Sequence, residues 1–187
     1  MLVRTLLLTS VIGLTMAGSA WSASADLNAA FGIQGQMVST EDYLQIEQLY
    51  ARNFHAIDTG SGVAFADTFT EDGEPVNGQG PGRANADRSP RKGRQALILA
   101  GSNGGARHLM TNLVVNRTAE GAKGSIYLLM YNVRTIPATF VETAIYDDTL
   151  VKTPQGWRFK RRVVWRDDDD ITPFKAKPRA AGAAPAG

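Results

Sequence analysis

Two histidines, His55 and His108, are the only imidazoles in this 187-residue chain, and cysteine is absent. Side-chain proton transfer near neutral pH therefore falls first on one of these two rings. Thiol nucleophiles, disulfides and cysteine metal sites are excluded. His108 follows the loop Gly101-Ser102-Asn103-Gly104-Gly105 and opens a strand-like run. Alternation along that run puts it on one face with Met110, Asn112 and Val114. A polar ring among apolar neighbours must find a hydrogen-bond partner. That partner is either a backbone carbonyl, which makes His108 structural, or a second reacting group. Asp58 is the candidate for the latter. It closes a helical run, where the helix dipole disfavours a carboxylate. It either satisfies itself in the local turn or faces a donor inside a cavity. Together the two would form an acid/base pair. Asn112, Tyr50 and Tyr127 are candidate donors toward a substrate oxygen, each with a plain packing or capping role as the alternative. His55 falls on a polar arc and reads as solvated, and Trp157 and Trp165 read as packing or rim residues.

The elements that must position these groups are legible from periodicity. Ser39 suits an N-cap, with Asp42 three positions on. Ile46, Leu49, Tyr50, Asn53, Phe54 and Ile57 then recur at helical spacing, while Gln48, Arg52 and His55 point away. A second short helix buries Val63, Phe65, Ala66 and Phe69, and Arg94 to Ala100 reads as a third. Thr70 to Gly73 reads as a turn. Glu74 to Val76 is at best a short edge strand, because Pro75 cannot donate to a ladder. Asn77 to Lys92, rich in glycine and proline, reads as a long loop. From Arg107 onward strands are expected at 107–118, 124–136, 139–152 and 156–166, joined by short turns into an antiparallel meander. Ile126, Leu128 and Met130 alternate with Tyr127, Leu129 and Tyr131, so this strand is apolar on both faces. Helices cover only one face, so the sheet is expected to curl around a pocket. The fold class is α+β.

At the ends, Arg4, the apolar stretch Thr5 to Met16 and Ala23-Ser24-Ala25 have the form of an export signal over 1–25. Residues 26–38 form a lead-in, 39–170 the domain, and 171–187 an Ala/Pro/Gly-rich tail expected to be disordered. The formal net charge is only +2. The basic clusters Arg88 to Arg94 and Arg158 to Arg162 lack interleaved aromatic platforms, so no nucleic-acid partner is expected. The dinucleotide spacing and the nucleophile elbow are both missing. Asp167 to Asp170 lacks the glycine turn and distal glutamate of a calcium loop. No metal and no cofactor are expected.

Three groups of residues carry a resemblance. The first is Ile46-x-x-Leu49-Tyr50-Ala51 with Ala56-Ile57-Asp58-x-Gly60, followed by Phe65-Ala66-x-x-Phe69-Thr70-x-Asp72-Gly73 and Gly93-Arg94-x-Ala96-Leu97. The second is Arg107-His108-x-x-x-Asn112. The third runs from Tyr146-x-Asp148-x-Leu150 to Gly156-Trp157-Arg158-Phe159-x-x-Arg162. In this order and spacing, over residues 40–166, the chain resembles the SnoaL-like branch of the NTF2-like superfamily. The resemblance implies a cone-shaped sheet with three N-terminal helices around a pocket. It also implies activities from dehydratases such as scytalone dehydratase to polyketide cyclases and ketosteroid isomerases, and members without known activity. In dehydratase-like members an aspartate ending the first helix and a histidine opening a strand form the catalytic pair, positions matched by Asp58 and His108. A second catalytic histidine found in scytalone dehydratase has no counterpart between them.

The expectation is thus an exported, cofactor-independent lyase or isomerase acting on a small apolar oxygenated molecule. It would be periplasmic or secreted, free of the membrane after signal cleavage, and a homodimer. The rival is a non-catalytic ligand-binding or dimeric scaffold domain on the same cone.

Overall fold

A computed structural model describes residues 35–77 and 92–166. The readings of an export signal, of most of the lead-in, of the loop between 78 and 91, of the acidic run and of the tail lie outside the described residues.

Helix α1, Thr40–Asp58, starts where the sequence places it: Ser39 Oγ accepts the Asp42 amide. Its apolar stripe (Ile46, Leu49, Tyr50, Phe54, Ala56) is buried, and Asn53 and Asp58 are buried with it. The short α2, Gly62–Ala66, follows directly. Strand β1, Phe69–Asn77, comes next, then α3, Arg94–Gly101. Four strands complete the chain: β2 Ala106–Arg117, β3 Ala122–Asn132, β4 Thr139–Thr153 and β5 Gly156–Arg166. They form one curved sheet in the order β1-β5-β4-β3-β2. β2 to β5 make the expected antiparallel meander, and β1 pairs parallel to β5.

Three expectations need correcting. Thr70–Gly73 is not a free turn, because the whole of Phe69–Asn77 is a strand with a register shift between Phe69 and Glu74. The irregularity absorbs the turn-forming residues, and the edge position tolerates Pro75 because one side of β1 needs no partner. Only two helices therefore precede the sheet, with α3 following β1. The strand expected over 124–136 ends at Asn132, where the Val133 amide leaves the ladder and donates to Gly105 O (3.1 Å).

Register shifts bend the meander at Thr111/Val114, Met130/Tyr131 and Thr149/Leu150. The register defines an inner face carrying His108, Met110, Leu128, Ile126, Tyr146, Asp148 and Leu150, against which α1 packs. Thr111, Tyr127, Ile145, Leu109 and Phe140 lie on the outer face.

Asp42 ties the start of α1 to the β4–β5 hairpin. Its Oδ1 accepts from Lys152 Nζ (2.7 Å) and Trp157 Nε1 (2.9 Å). Lys152 foremost, with the Trp157 indole, holds this carboxyl down at about 2 against an ordinary 3.8. A depressed folded-state value means the anchor's contribution is complete above the ordinary value and is lost as pH falls toward the folded one. Asp42→Asn is therefore expected to lower the melting temperature by a few degrees at neutral pH. Thermal melts from pH 7 downward should show the gap to wild type closing below pH 3.8 and vanishing near pH 2. A gap that persists at acid pH would mean the anchor is not this carboxylate's charge.

Candidate active site

Asp58 is the last residue of α1, at the negative end of the helix dipole, yet its side chain is only 9% exposed. Burying a carboxylate there demands donors, and His108 at the start of β2 supplies two. Its backbone amide donates to Oδ2 (3.1 Å), and its Nδ1 lies 2.5 Å from Oδ1. The main chain is stitched at the same point: the Gly105 amide donates to Asp58 O (3.0 Å). The imidazole lies parallel to the Phe54 ring, with centroids 5.6 Å apart and an interplanar angle of 5°. With Nδ1–H donated to the carboxylate, the free lone pair belongs to Nε2. His108 also lines a cavity.

That cavity has a volume of about 110 Å³. Phe54, Ile57, Phe65, Val76, Ala100 and Val164 give it apolar walls, and His108, Tyr146, Asn53 and Arg162 give it polar points. A cavity of about 150 Å³ holds benzene, so the space accommodates roughly one small ring or less.

Opposite His108 lies a buried ionic network. Arg162 is 4% exposed and Asp148 wholly buried. Arg162 Nε and Nη2 donate to the two Asp148 oxygens (2.9 Å each), and Nη1 donates to Asn53 Oδ1 (2.8 Å). Asn53 in turn donates to Thr68 Oγ1 (2.7 Å), which donates to Phe65 O (2.6 Å). Four aromatic rings box the guanidinium, at 4.2 Å from Phe159, 4.5 Å from Tyr146, 5.4 Å from Tyr50 and 5.5 Å from Phe54. Burial works against the Arg162 charge, but the Asp148 charge and hydrogen bonds outweigh it and keep the guanidinium protonated. Burial likewise pulls the Asp148 carboxyl upward while Arg162 pulls it back. The bidentate geometry belongs to an ionised carboxylate. A guanidinium has five N–H donors. Three are engaged here, which leaves two, and Arg162 is among the residues that line the cavity. Tyr146 also faces the cavity, and burial pushes its phenol up to about 12, so it stays protonated as a donor.

The five residues singled out in the sequence divide sharply. Asp58 and His108 come together. Tyr50 is fully buried, with its hydroxyl over Gly124, where a Cβ would lie 2.4 Å from it. Burial, then the nearby Asp148 charge, holds the phenol well above its ordinary value. Tyr50 sits in the core and does not line the cavity. Asn112 is exposed at φ 59° in the β2 bulge, which breaks the alternation that would have aligned it with His108. The same bulge turns Val114 outward and Val115 inward. Tyr127 pairs with Thr111 and Ile145 on the outer face. The residues missed as a site are Asn53, Asp148, Tyr146 and Arg162. Their signal was an uninterrupted inward alternation, Tyr146-x-Asp148-x-Leu150, with one acid on the buried side. Arg162 was hidden in a basic run that a bulge near Lys160 splits into outward and inward members. His55 is exposed on the far side of α1, as its place on the polar arc requires.

Similarity to known proteins follows the same core. A family model described as a SnoaL-like domain matches residues 38–163. An NTF2-like protein with a cystatin-like fold from Novosphingobium aromaticivorans shares the fold at 21% identity, covering 71% of this chain and 86% of that one, with a TM-score of 0.61. A protein of unknown function from Mycobacterium tuberculosis is 25% identical over 76% of this chain and 81% of its own, TM-score 0.60. A protein from Catenulispora acidiphila, solved in complex with S-DNPA, is 26% identical over 69% and 96%, TM-score 0.58. No curated protein matches the chain.

Removing one member of a buried ion pair strands the other, at a cost of about 3–5 kcal/mol. Asp148→Asn is expected to lower the unfolding free energy by about that amount, read by urea denaturation. The double replacement Asp148→Leu/Arg162→Met should cost less than the two single changes together. Additive losses would show that the two side chains act independently.

Proposed function

The chain belongs to the SnoaL-like domain family, and from that membership we propose that it is an exported, cofactor-independent lyase or isomerase. Its substrate is a small, largely apolar, oxygenated molecule, and its acid/base pair is His108 with Asp58. The observation that carries this reading is the 2.5 Å contact between His108 Nδ1 and Asp58 Oδ1 beside a cavity that His108 also lines.

The chemistry follows from that contact. Nε2 accepts a proton from a substrate carbon next to a carbonyl, and the C–H electron pair moves toward the carbonyl oxygen. Asp58 stabilises the imidazolium that forms. The two unspent Arg162 N–H groups and the Tyr146 hydroxyl are donors for the oxygen on which charge develops. The imidazolium then returns its proton. Delivered to a leaving hydroxyl, it releases water and leaves a carbon–carbon double bond, a dehydration. Delivered to another carbon, it completes an isomerisation. In both cases atoms and charge balance without a further reactant.

Removing the base is expected to lower turnover by about 10²–10⁴-fold. His108→Gln and Asp58→Asn conserve volume, so both should keep the melting temperature within a few degrees of wild type. Full turnover by either variant overturns the assignment. A collapse in melting temperature with each would favour a structural histidine.

Export and pairing belong to the same proposal. Leu109, Val114 and Phe140 are 50%, 38% and 55% exposed on the outer sheet face, and an apolar face of this kind supports a homodimer. Native mass spectrometry of protein purified from its own host reads all three features at once. The expected result is a mature chain beginning at Asp26, a dimer, and a co-purified neutral oxygenated small molecule. An intact leader or a monomer would remove the corresponding element of the proposal.

A further inference from the structure

The catalytic reading requires that the end of α1 and the start of β2 keep a separation fixed to a few tenths of an ångström. Asp58 bonds His108 directly, and the segment Ser102–Gly105, which joins α3 to β2, lies against the end of α1. This segment is held from the other side by one residue of the β3–β4 connection. Arg134 Nη2 donates to Asn103 O (2.5 Å) and to Gly104 O (2.8 Å). Its side chain lies flat over the Gly105 Cα, so close that a Cβ there would stand 2.2 Å from Nε. The Arg134 amide donates to Asn132 Oδ1 (3.0 Å), which fixes the connection that carries it. The adjacent Val133 amide donates to Gly105 O, and the Gly105 amide donates to Asp58 O. On its inner side Gly104 meets Thr59 and Gly60, where a Cβ would come 2.9 Å from the Gly60 nitrogen. The glycine pair is therefore sandwiched between the end of α1 and the Arg134 guanidinium.

We propose that Arg134 is a positioning residue for the Asp58–His108 pair, clamping Asn103–Gly105 so that Asp58 and His108 are held at hydrogen-bond distance. It bonds neither member of the pair and acts through Asn103, Gly104 and Gly105, the last of which is hydrogen-bonded to Val133 on one side and Asp58 on the other. Both glycines have positive φ, 54° at Gly104 and 81° at Gly105. Such a turn has little intrinsic preference for one geometry, so an external clamp determines it. The inference rests on the proposed use of Asp58 and His108 for its functional meaning, but its geometry can be tested without a substrate.

Arg134 is exposed, so Arg134→Ala is expected to fold with a melting temperature close to wild type. Proton NMR of the wild type should show the His108 Nδ1 proton far downfield, as a short hydrogen bond to a carboxylate requires. In Arg134→Ala that resonance should move upfield or be lost to exchange. Hydrogen-exchange protection of the Gly105 and His108 amides should fall about tenfold while that of the sheet core is unchanged. Arg134→Lys, which keeps the charge and one donor, should recover part of the signal. Gly105→Ala, which leaves Arg134 in the sequence but removes its seat, should repeat the loss. An unchanged Nδ1 resonance and unchanged amide protection in Arg134→Ala overturn the proposal. A perturbed resonance in a protein whose His108→Gln variant keeps full turnover leaves the clamp standing and removes the catalytic reading instead.

Discussion

A buried carboxylate at the C-terminal end of a helix is the condition around which this molecule is arranged. The α1 dipole points its negative end at Asp58, and low exposure denies it water. Only donors brought from elsewhere make the position tolerable, and β2 brings them with the amide and ring of a single residue, His108. The start of the meander is thereby tied to one point of the helix. Placing β2 places β3 by register, and the rest of the sheet follows. The same buried carboxylate accepts from the imidazole Nδ1.

The second buried charge follows a different logic. Arg162 and Asp148 sit in the centre of the fold between α1 and the sheet, where a lone charge would be intolerable. Every oxygen of Asp148 is taken, and Asn53, Thr68 and the Phe65 carbonyl extend the chain of donors and acceptors across α1 to the end of α2. The aromatic box around the guanidinium offsets part of its desolvation through the faces and edges of four rings. Because the pair is internally neutral, it adds hydrogen-bond donors to the cavity without adding net charge.

The sequence made the helical register of α1, its cap, the meander and the Asp58–His108 candidates legible, because these depend on local periodicity and on the rarity of histidine. What it hid depended on the bulges. Asn112 and Val114 seemed to share a face with His108 until an extra residue in β2 rotated the strand. Arg162 seemed one of several surface bases until the irregularity between Thr149 and Leu150 turned it inward against Asp148. Alternation is exact only between bulges, and a bulge is set by how the sheet must curve around α1, a long-range constraint with no short-range signature. Strand β1 is legible only as a short edge strand over Glu74–Val76. Its pairing with β5 is parallel and distant in sequence, while Thr70–Gly73 argues locally for a turn.

The charge arrangement in the cavity limits what can occupy it. Arg162 with Asp148 sums to zero. Among the described residues the guanidinium that lines the cavity is therefore already paired, and an anionic ligand would meet no unpaired positive charge there. A neutral carbonyl or hydroxyl compound does not need one. Its oxygen can be received by the spare Arg162 and Tyr146 donors, while an acidic C–H can be turned toward Nε2. In the proposed reaction, charge that develops on that oxygen arises beside the guanidinium as Nε2 takes the proton next to Asp58, so the added charges form next to partners already in place. A site whose guanidinium is already paired is thus better matched to a substrate that acquires charge than to one that carries it in.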